Sequence, residues 1–441
     1  MSELQTATPS LPASREARSD CGTIKALSDR IVEAQRPIRI LDAIKWDESV
    51  EARFVAQGCR ELPEIDRDYY ASRPLGFDLE EKRREFQEIE LEITRALGRL
   101  SPVGGIMRRM CREYLNVLRM LEARGTPDFT LLSQELYGST NEAFHAGEPT
   151  LADLGERISH SLAKINLSPL IGDLQKDISG EEAIQSLGDR LRVSMNGCGD
   201  KVRVILDDGI VADAAAGSDY IKIRKDAKFD ARELRLLEVH EGWVHVGTTL
   251  NGSEQPYCTF LSKGTPSSTV TQEGLAVLME IFAFASFPAR LHRLTNRINA
   301  VHMAEEGADF LDVFRFHRAQ GLGDHDSYVA AMRVFRGSSP TAGPFTKDIC
   351  YTKGFTLLYN FLRFAVRAGK LEAIPLLFCG KTVLEDIRVL KHLLDEGLLI
   401  PPTFVPPQFA DMHGLTAWMC YADFLGTLNF QKLETDYAEL F

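Results

Sequence analysis

The sequence predicts an α+β fold that is predominantly α-helical, with one small antiparallel β element just before a helix near residue 240. Three observations carry this. Apolar residues recur three and four apart through residues 29–195, the spacing of amphipathic helices. Near residue 196 the texture changes to short β-branched runs broken by turn residues. Helical spacing then returns and persists toward the C-terminus.

Taken in order, residues 1–28 are rich in Ser, Thr, Ala, Pro and charge and read as a disordered leader. A helical N-terminal region follows over 29–195. In it, SDRIVEAQRPIRILDAI and GIMRRMCREYLNVLRMLEARG show the helical repeat, and DLEEKRREFQEIELEITRALGRL opens with acids and closes with Arg and Gly, as the helix dipole favours. In GDKVRVILDDGIVADAAAGSDYIKIRKDAKF, Asp208-Gly209 and Gly217-Ser218 separate alternating runs, which predicts a small antiparallel sheet or hairpin pair. DARELRLLEVHEGWVH reads as a helix capped by Asp230. Gly, Ser and Pro make 251–268 a loop, after which STVTQEGLAVLMEIFAFAS is a strongly apolar helix. Helical texture continues through 287–335, 350–369 and 382–397. IPPTFVPPQF is an extended Pro-rich loop, and a last amphipathic helix runs to residue 441.

With 441 residues, 44% apolar and 26% charged, the chain has the make-up of a soluble globular protein with a sizeable core. A net charge of −12 argues against nucleic acid or an anionic membrane as a partner. Eight cysteines without a CxxC pair fit reduced thiols better than a disulfide framework. The first twenty residues lack the apolar core of a signal peptide, and no stretch reaches the roughly 18 apolar residues of a membrane span. The expectation is a soluble, cytoplasmic protein.

The chemistry is concentrated in LLEVHEGWVHVGTT, residues 236–249, where His240, Glu241 and His245 spell His-Glu-x-x-x-His. The familiar zinc-protease motif is one residue shorter and puts both imidazoles on one helical face. At about 100° per residue, positions i and i+5 lie about 140° apart on an ideal α-helix, too far to share a metal. A π-bulge, or a helix that loosens at its end, restores the shared face, and Gly242 and Gly247 ease either distortion. The motif therefore predicts a distorted helix. Composition alone yields roughly 0.03 chance matches per chain, so two helix histidines satisfied by their neighbours stand as the plain alternative.

A two-histidine zinc site needs a third protein ligand and an open position for water. TQEGLAVLMEIF, 271–282, offers Glu273 about one turn into a helix, with small Gly274 and Ala276 to let that helix approach the motif helix. The segment resembles the Asn-Glu-Gly-Phe-Ala stretch of zinc aminopeptidases. A first-turn acid favoured by the helix dipole is the ordinary alternative for Glu273.

HEGWVH, the following TTLNGSEQPY, TQEGLAVLMEI and FRGSSPTAGPFTKDICYTKGF (335–355) together resemble the QEGLA-motif family, known in bacteria as flavohemoglobin expression-modulating proteins. They also resemble the microtubule-associated tyrosine carboxypeptidases, zinc metallopeptidases with a His-Glu-x-x-x-His motif and a distal Glu. The resemblance spans roughly residues 35–400 and departs at Trp243, where relatives more often carry small or aliphatic residues. It implies a zincin-like catalytic core in a metallopeptidase region over 196–441, Zn2+ held by His240, His245 and Glu273, and Glu241 as acid/base.

The expected reaction is hydrolysis at a peptide or protein C-terminus, with zinc lowering the pKa of a bound water and Glu241 moving its proton to the leaving amine. Tyr351 is a candidate to stabilise the oxyanion. Arg336 and Lys347 are candidates to hold the substrate carboxylate. Glu238, Thr248 and Glu280 are candidates to orient an imidazole, and Trp243, Asn251 and Gln255-Pro256 to line the cleft. A di-iron bundle fails because it requires paired Glu-x-x-His motifs, whereas Leu237 and Gly242 stand three residues before the two histidines. The remaining competitor is a non-catalytic metal-binding regulatory protein.

Overall fold

Polar caps start the long helices where the apolar periodicity begins, and the computed structural model describes residues 15–144, 147–165, 176–195, 201–210 and 212–440. Asp78 accepts from the Glu81 N–H to start Leu79–Leu97, and Ser101 accepts from the Gly104 N–H to start Pro102–Glu122. Phe86 and Tyr114 stack between these two helices with centroids 5.1 Å apart.

The leader expected over 1–28 ends sooner. Arg15–Gln35 is a single helix, and residues 1–14 lie outside the described residues. The reason is a stripe that the polar composition conceals. Ile24, Leu27, Ile31 and Ala34 recur three and four apart, and all four are buried in the main core. Ser28 on the same face is buried as well and accepts the Phe260 N–H at 2.7 Å.

That core draws Phe86, Tyr114 and Phe129 from the N-terminal helices and Leu275, Leu278, Leu362 and Phe378 from the second half of the chain, so the regions on either side of residue 195 share it. A second cluster gathers Trp46, Phe54, Phe310, Phe314 and Tyr328. A third lies under the sheet and includes Leu187, Leu191, Ile221, Ile223, Trp243 and Phe404.

Five short strands form two sheets. β1 (Ile178–Ser179) pairs antiparallel with β5 (Lys228–Phe229). β2 (Arg203–Asp207), β3 (Ala214–Ala216) and β4 (Tyr220–Arg224) form a sheet ordered β2-β4-β3. β3 and β4 make the expected antiparallel hairpin, but β2 joins the other edge of β4 in parallel, so this sheet is mixed rather than antiparallel. The burial pattern explains the order. β4 carries Ile221 and Ile223, both fully buried, and takes the centre, while the half-exposed β2 occupies an edge.

Helix Pro266–Phe282 crosses helix Cys350–Arg367 with backbones in contact. A Cβ at Gly274 would lie 2.1 Å from the Gly354 carbonyl carbon, and one at Gly354 would lie 1.9 Å from the Val270 oxygen. Gly274 thus serves this crossing, not the approach to the motif helix expected of it. The next residue on a helix points about 100° away, so when Glu273 faces the motif helix Gly274 cannot.

Two further expectations change. The C-terminal helix is two helices, Met412–Leu425 and Phe430–Tyr437, because Gly426 ends the first and Asn429 caps the second. The Pro-rich loop is extended as expected, but it takes up two residues expected elsewhere. Asn251 accepts the Thr403 and Phe404 N–H groups, both at 2.9 Å, and donates to the Phe378 and Phe404 carbonyls. Gln255 bonds Ile400 through both its backbone N–H and its carbonyl. Asn251 and Gln255 are therefore spent on anchoring backbone, not on lining a cleft. Among the described residues, no helix is long and apolar enough to cross a membrane, and the seven described cysteines are free.

Candidate metal centre

The motif lies on one continuous helical rod. It begins at Asp230, which exchanges hydrogen bonds with Glu233 in a capping box. Ala231–Leu237 is α-helical, Glu238–Val246 is π-helical, and Gly247–Ser253 is α-helical again. The Gly247 N–H reaches back five residues to the Gly242 carbonyl. The wider turn brings i and i+5 onto one face, so the imidazoles of His240 and His245 lie edge to face with centroids 4.9 Å apart. The distortion that the extra residue demands is present. Gly242 also has a packing role, because a Cβ there would lie 2.4 Å from Leu191 Cδ2 on helix Gly180–Ser194. Trp243 points into the core beneath the sheet.

Thr265 caps helix Pro266–Phe282, which presents Glu273 to the two imidazoles. Glu273 Oε2 lies 3.5 Å from His240 Nε2 and 3.4 Å from His245 Nε2. Ligand atoms about 2.0–2.1 Å from a tetrahedral zinc lie about 3.4 Å from one another, so these separations fit a zinc ion. The donor chemistry fits too, since Glu273 Oε2 is buried with no hydrogen-bond partner. Among the described residues, His240, His245 and Glu273 are the one group of His, Cys, Asp or Glu side chains gathered closely enough to hold a metal.

Glu241 sits beside this triad. Its Oε1 lies 4.0 Å from His240 Nε2, and its Oε2 accepts the Ala216 N–H of β3 at 2.9 Å. Of the three residues expected to orient an imidazole, Glu280 does so, with Oε1 2.7 Å from His240 Nδ1. That bond leaves Nε2 directed at the triad. Glu238 instead pairs with Arg235 and Arg190. Thr248 lies against the Val244 carbonyl and Gln272 Oε1. Lys347 donates to Glu273 Oε1 at 3.1 Å, so its nearest acceptor is the triad's own carboxylate.

The charges sort themselves accordingly. Burial opposes the ionised form of Glu273, but Lys347 and the two imidazoles hold it well below the ordinary carboxylate value. Burial likewise opposes charge on Glu280, yet Arg290 and His240 bring it down to about 2. For His240, burial is outweighed by the carboxylates of Glu273, Glu280 and Glu241 beside it, which push it up to about 10. Lys381, donating to the His245 carbonyl at 2.7 Å, is drawn by burial down to about 7 against the pull of Glu273 and Glu241.

A basic wall stands behind Tyr351, whose ring centroid lies 6.3 Å from that of His240. Arg297 lies 4.8 Å, Lys347 5.8 Å and Arg290 6.0 Å from the Tyr351 ring centre. Arg290 is bound at both ends to Glu280, and Arg333 is bound at both ends to Asp348. Arg297 Nη1 and Arg336 Nε are buried without a hydrogen-bond partner. Burial, then Arg333, lowers both guanidiniums, Arg336 to about 10. Burial and Arg297 push His317 down to about 4, which keeps it neutral beside them.

Sequence reasoning missed Arg290, Arg297, Gln272 and Lys381. Arg290, Arg293 and Arg297 stand three and four apart in PARLHRLTNR, a basic stripe on one helical face that could have been noticed. No local pattern announces Lys381, which comes 136 residues after His245.

The sequence pattern of the microtubule-associated tyrosine carboxypeptidase family matches residues 52–427. No curated protein matches the chain. Among solved structures, the chain resembles a carboxypeptidase from Pyrococcus furiosus at 12% identity and TM-score 0.38, over 94% of this chain and 100% of that one. It resembles an M32 carboxypeptidase from Deinococcus radiodurans R1 at 17% identity and TM-score 0.30, over 97% and 99% of the two chains. Scores this low establish no shared fold.

Proposed function

This chain belongs to the microtubule-associated tyrosine carboxypeptidase family, and from that premise we propose that it is a zinc-dependent carboxypeptidase acting on a peptide or protein C-terminus. The observation that carries the reading is Glu273 Oε2, buried, unpartnered and within 3.5 Å of both imidazole Nε2 atoms.

His240, His245 and Glu273 hold the zinc, which when bound supplies a Lewis acid that acidifies water and polarises a carbonyl. Glu280 fixes the His240 ring through Nδ1, and Lys347 holds the second oxygen of Glu273. Glu241 is the acid/base. Its Oε2 is anchored by the Ala216 N–H, which leaves Oε1 on the side of the triad to take a proton from water and return it to the leaving amine. Tyr351 stands over the same space and supports the carbonyl oxygen as negative charge develops there. Arg336 and Arg297 receive the substrate's terminal carboxylate, which supplies the hydrogen bonds their buried nitrogens lack. A site serving structure or regulation alone has no use for a carboxylate beside its ligands, and the position of Glu241 therefore favours catalysis over a silent metal site.

Metal analysis of the purified protein, followed by hydrolysis of peptides ending in tyrosine and in other residues, tests the reading. Glu241→Gln is expected to retain zinc and to lose at least about 100-fold in rate. Full activity in that variant sinks the mechanism, and a protein that takes up no zinc sinks the site.

A further inference from the structure

A helix that passes from i→i+5 to i→i+4 bonding skips one backbone acceptor at the junction. Where the skip falls decides which side chains share a face. Here the change occurs at Val246–Gly247, directly after His245. Side chains donate to the carbonyls at this junction. Thr248 Oγ1 lies 2.6 Å from the Val244 oxygen, Thr249 Oγ1 donates to the His245 oxygen at 2.8 Å, and Lys381 Nζ donates to the same oxygen at 2.7 Å.

The threonines belong to the motif helix itself, whereas Lys381 arrives from elsewhere in the chain. Its loop is anchored by its backbone. The Lys381 N–H donates to the Leu261 carbonyl at 2.6 Å, and a Cβ on Gly380 would lie 2.5 Å from that same oxygen. From this footing Nζ also donates to Gln272 Oε1 at 3.1 Å, which in turn lies 2.8 Å from Thr248 Oγ1. Gln272 immediately precedes Glu273. One Nζ therefore joins the backbone of His245 to the residue next to Glu273, across two different helices.

We propose that Lys381 is a positioning residue for the metal centre: by clasping the His245 carbonyl to Gln272 it fixes where the π-helix ends, and so holds the His245 imidazole opposite His240 and Glu273. The proposal rests on the reading of these three residues as a metal site. It assigns Lys381 no contact with substrate and no proton transfer. A lysine Nζ suits the task because, charged or neutral, it carries at least two N–H donors on one atom, enough to serve a carbonyl and an amide oxygen together.

The test is metal binding rather than turnover. Zn2+ affinity is measured by competition with a chromophoric chelator, and the visible spectrum of the Co2+-loaded protein reports ligand geometry, for wild type, Lys381→Met and Lys381→Arg. Loss of an outer partner of a ligand costs about 10–100-fold in metal affinity, and a loss in that range is expected for Lys381→Met. Its Co2+ spectrum is expected to shift, with partial recovery in Lys381→Arg. A role confined to stability lowers the melting temperature but leaves the Co2+ spectrum of the folded protein unchanged, and that result overturns the proposal. If Lys381→Met does not fold, Gln272→Leu opens the clasp from its other end, and wild-type affinity and spectrum there overturn it equally. The two possible failures are distinguishable. Wild type that binds neither ion defeats the metal reading itself, whereas wild type that binds both, alongside a Lys381→Met protein that binds them identically, defeats the clasp alone.

Discussion

The two sides of the candidate site are built from similar materials and left in opposite states. On the motif side, acids and imidazoles converge, and the one orphaned group is an oxygen, Glu273 Oε2. On the basic side, behind Tyr351, the orphaned groups are nitrogens, Arg297 Nη1 and Arg336 Nε. Each neighbourhood also holds fully satisfied pairs, Glu280 with Arg290 and Asp348 with Arg333, so burial alone does not create the deficit. A buried polar group without a partner costs stability. The difference accords with the proposed function, in which one side takes a cation and the other an anion.

Breaking a satisfied pair should have the largest effect. Burial opposes charge on Asp348, but Arg333 and Arg297 hold its carboxyl below the ordinary value. Its contribution is therefore complete above about pH 4, the unfolded value, and is lost as pH falls through the folded value. Asp348→Asn leaves Arg333 buried and unpaired, which costs about 3–5 kcal/mol. Chemical denaturation at neutral pH should show that loss, and the gap from wild type should narrow in strong acid.

Next in size is Glu280→Gln, which weakens the support of His240. Zn2+ affinity is expected to fall about 10–100-fold, read by chelator competition on the folded protein. Unchanged affinity would mean that the His240–Glu280 bond serves packing only.

The basic side should answer in the opposite direction. Arg336→Met removes an unsatisfied buried charge and is expected to stabilise the substrate-free protein by about 1–3 kcal/mol, while raising KM for peptides with a free C-terminal carboxylate. Peptides amidated at the C-terminus should not distinguish the variant from wild type. A destabilised variant, or one with unchanged KM, would erase the contrast between the two sides.

The smallest effect belongs to Glu238→Gln. Glu238 shares the motif helix but, though itself buried, pairs with the partly exposed Arg235 and Arg190, and a loss of about 1–2 kcal/mol with unaltered Zn2+ affinity is expected. A large loss of metal there would show that position on the π-helix, and not contact with an imidazole, governs the site.

Much of this is readable in the sequence, because it rests on local rules. Asp230 as a cap, the apolar stripes of the long helices, and the strain implied by the five-residue step from His240 to His245 each depend on near neighbours. The same rules misjudged the leader, where polar composition hid the stripe of Ile24, Leu27 and Ile31. They also set Gly274 against the motif helix when it meets Gly354, since helix spacing says that a residue is small but not which helix will use the room.

By itself, then, the sequence determined which atoms are available for chemistry: two imidazoles and a carboxylate in one motif, a second carboxylate one helix later, and a motif length that an ideal α-helix cannot accommodate. Tertiary structure alone decided which groups would be satisfied. Lys347 rests on Glu273, Glu280 on His240 and Lys381 on the His245 carbonyl, while Arg297 and Arg336 are left wanting. Hydrogen bonds act over about 3 Å, and the residues that make these ones are tens to more than a hundred positions apart, so only the packed chain can pair them.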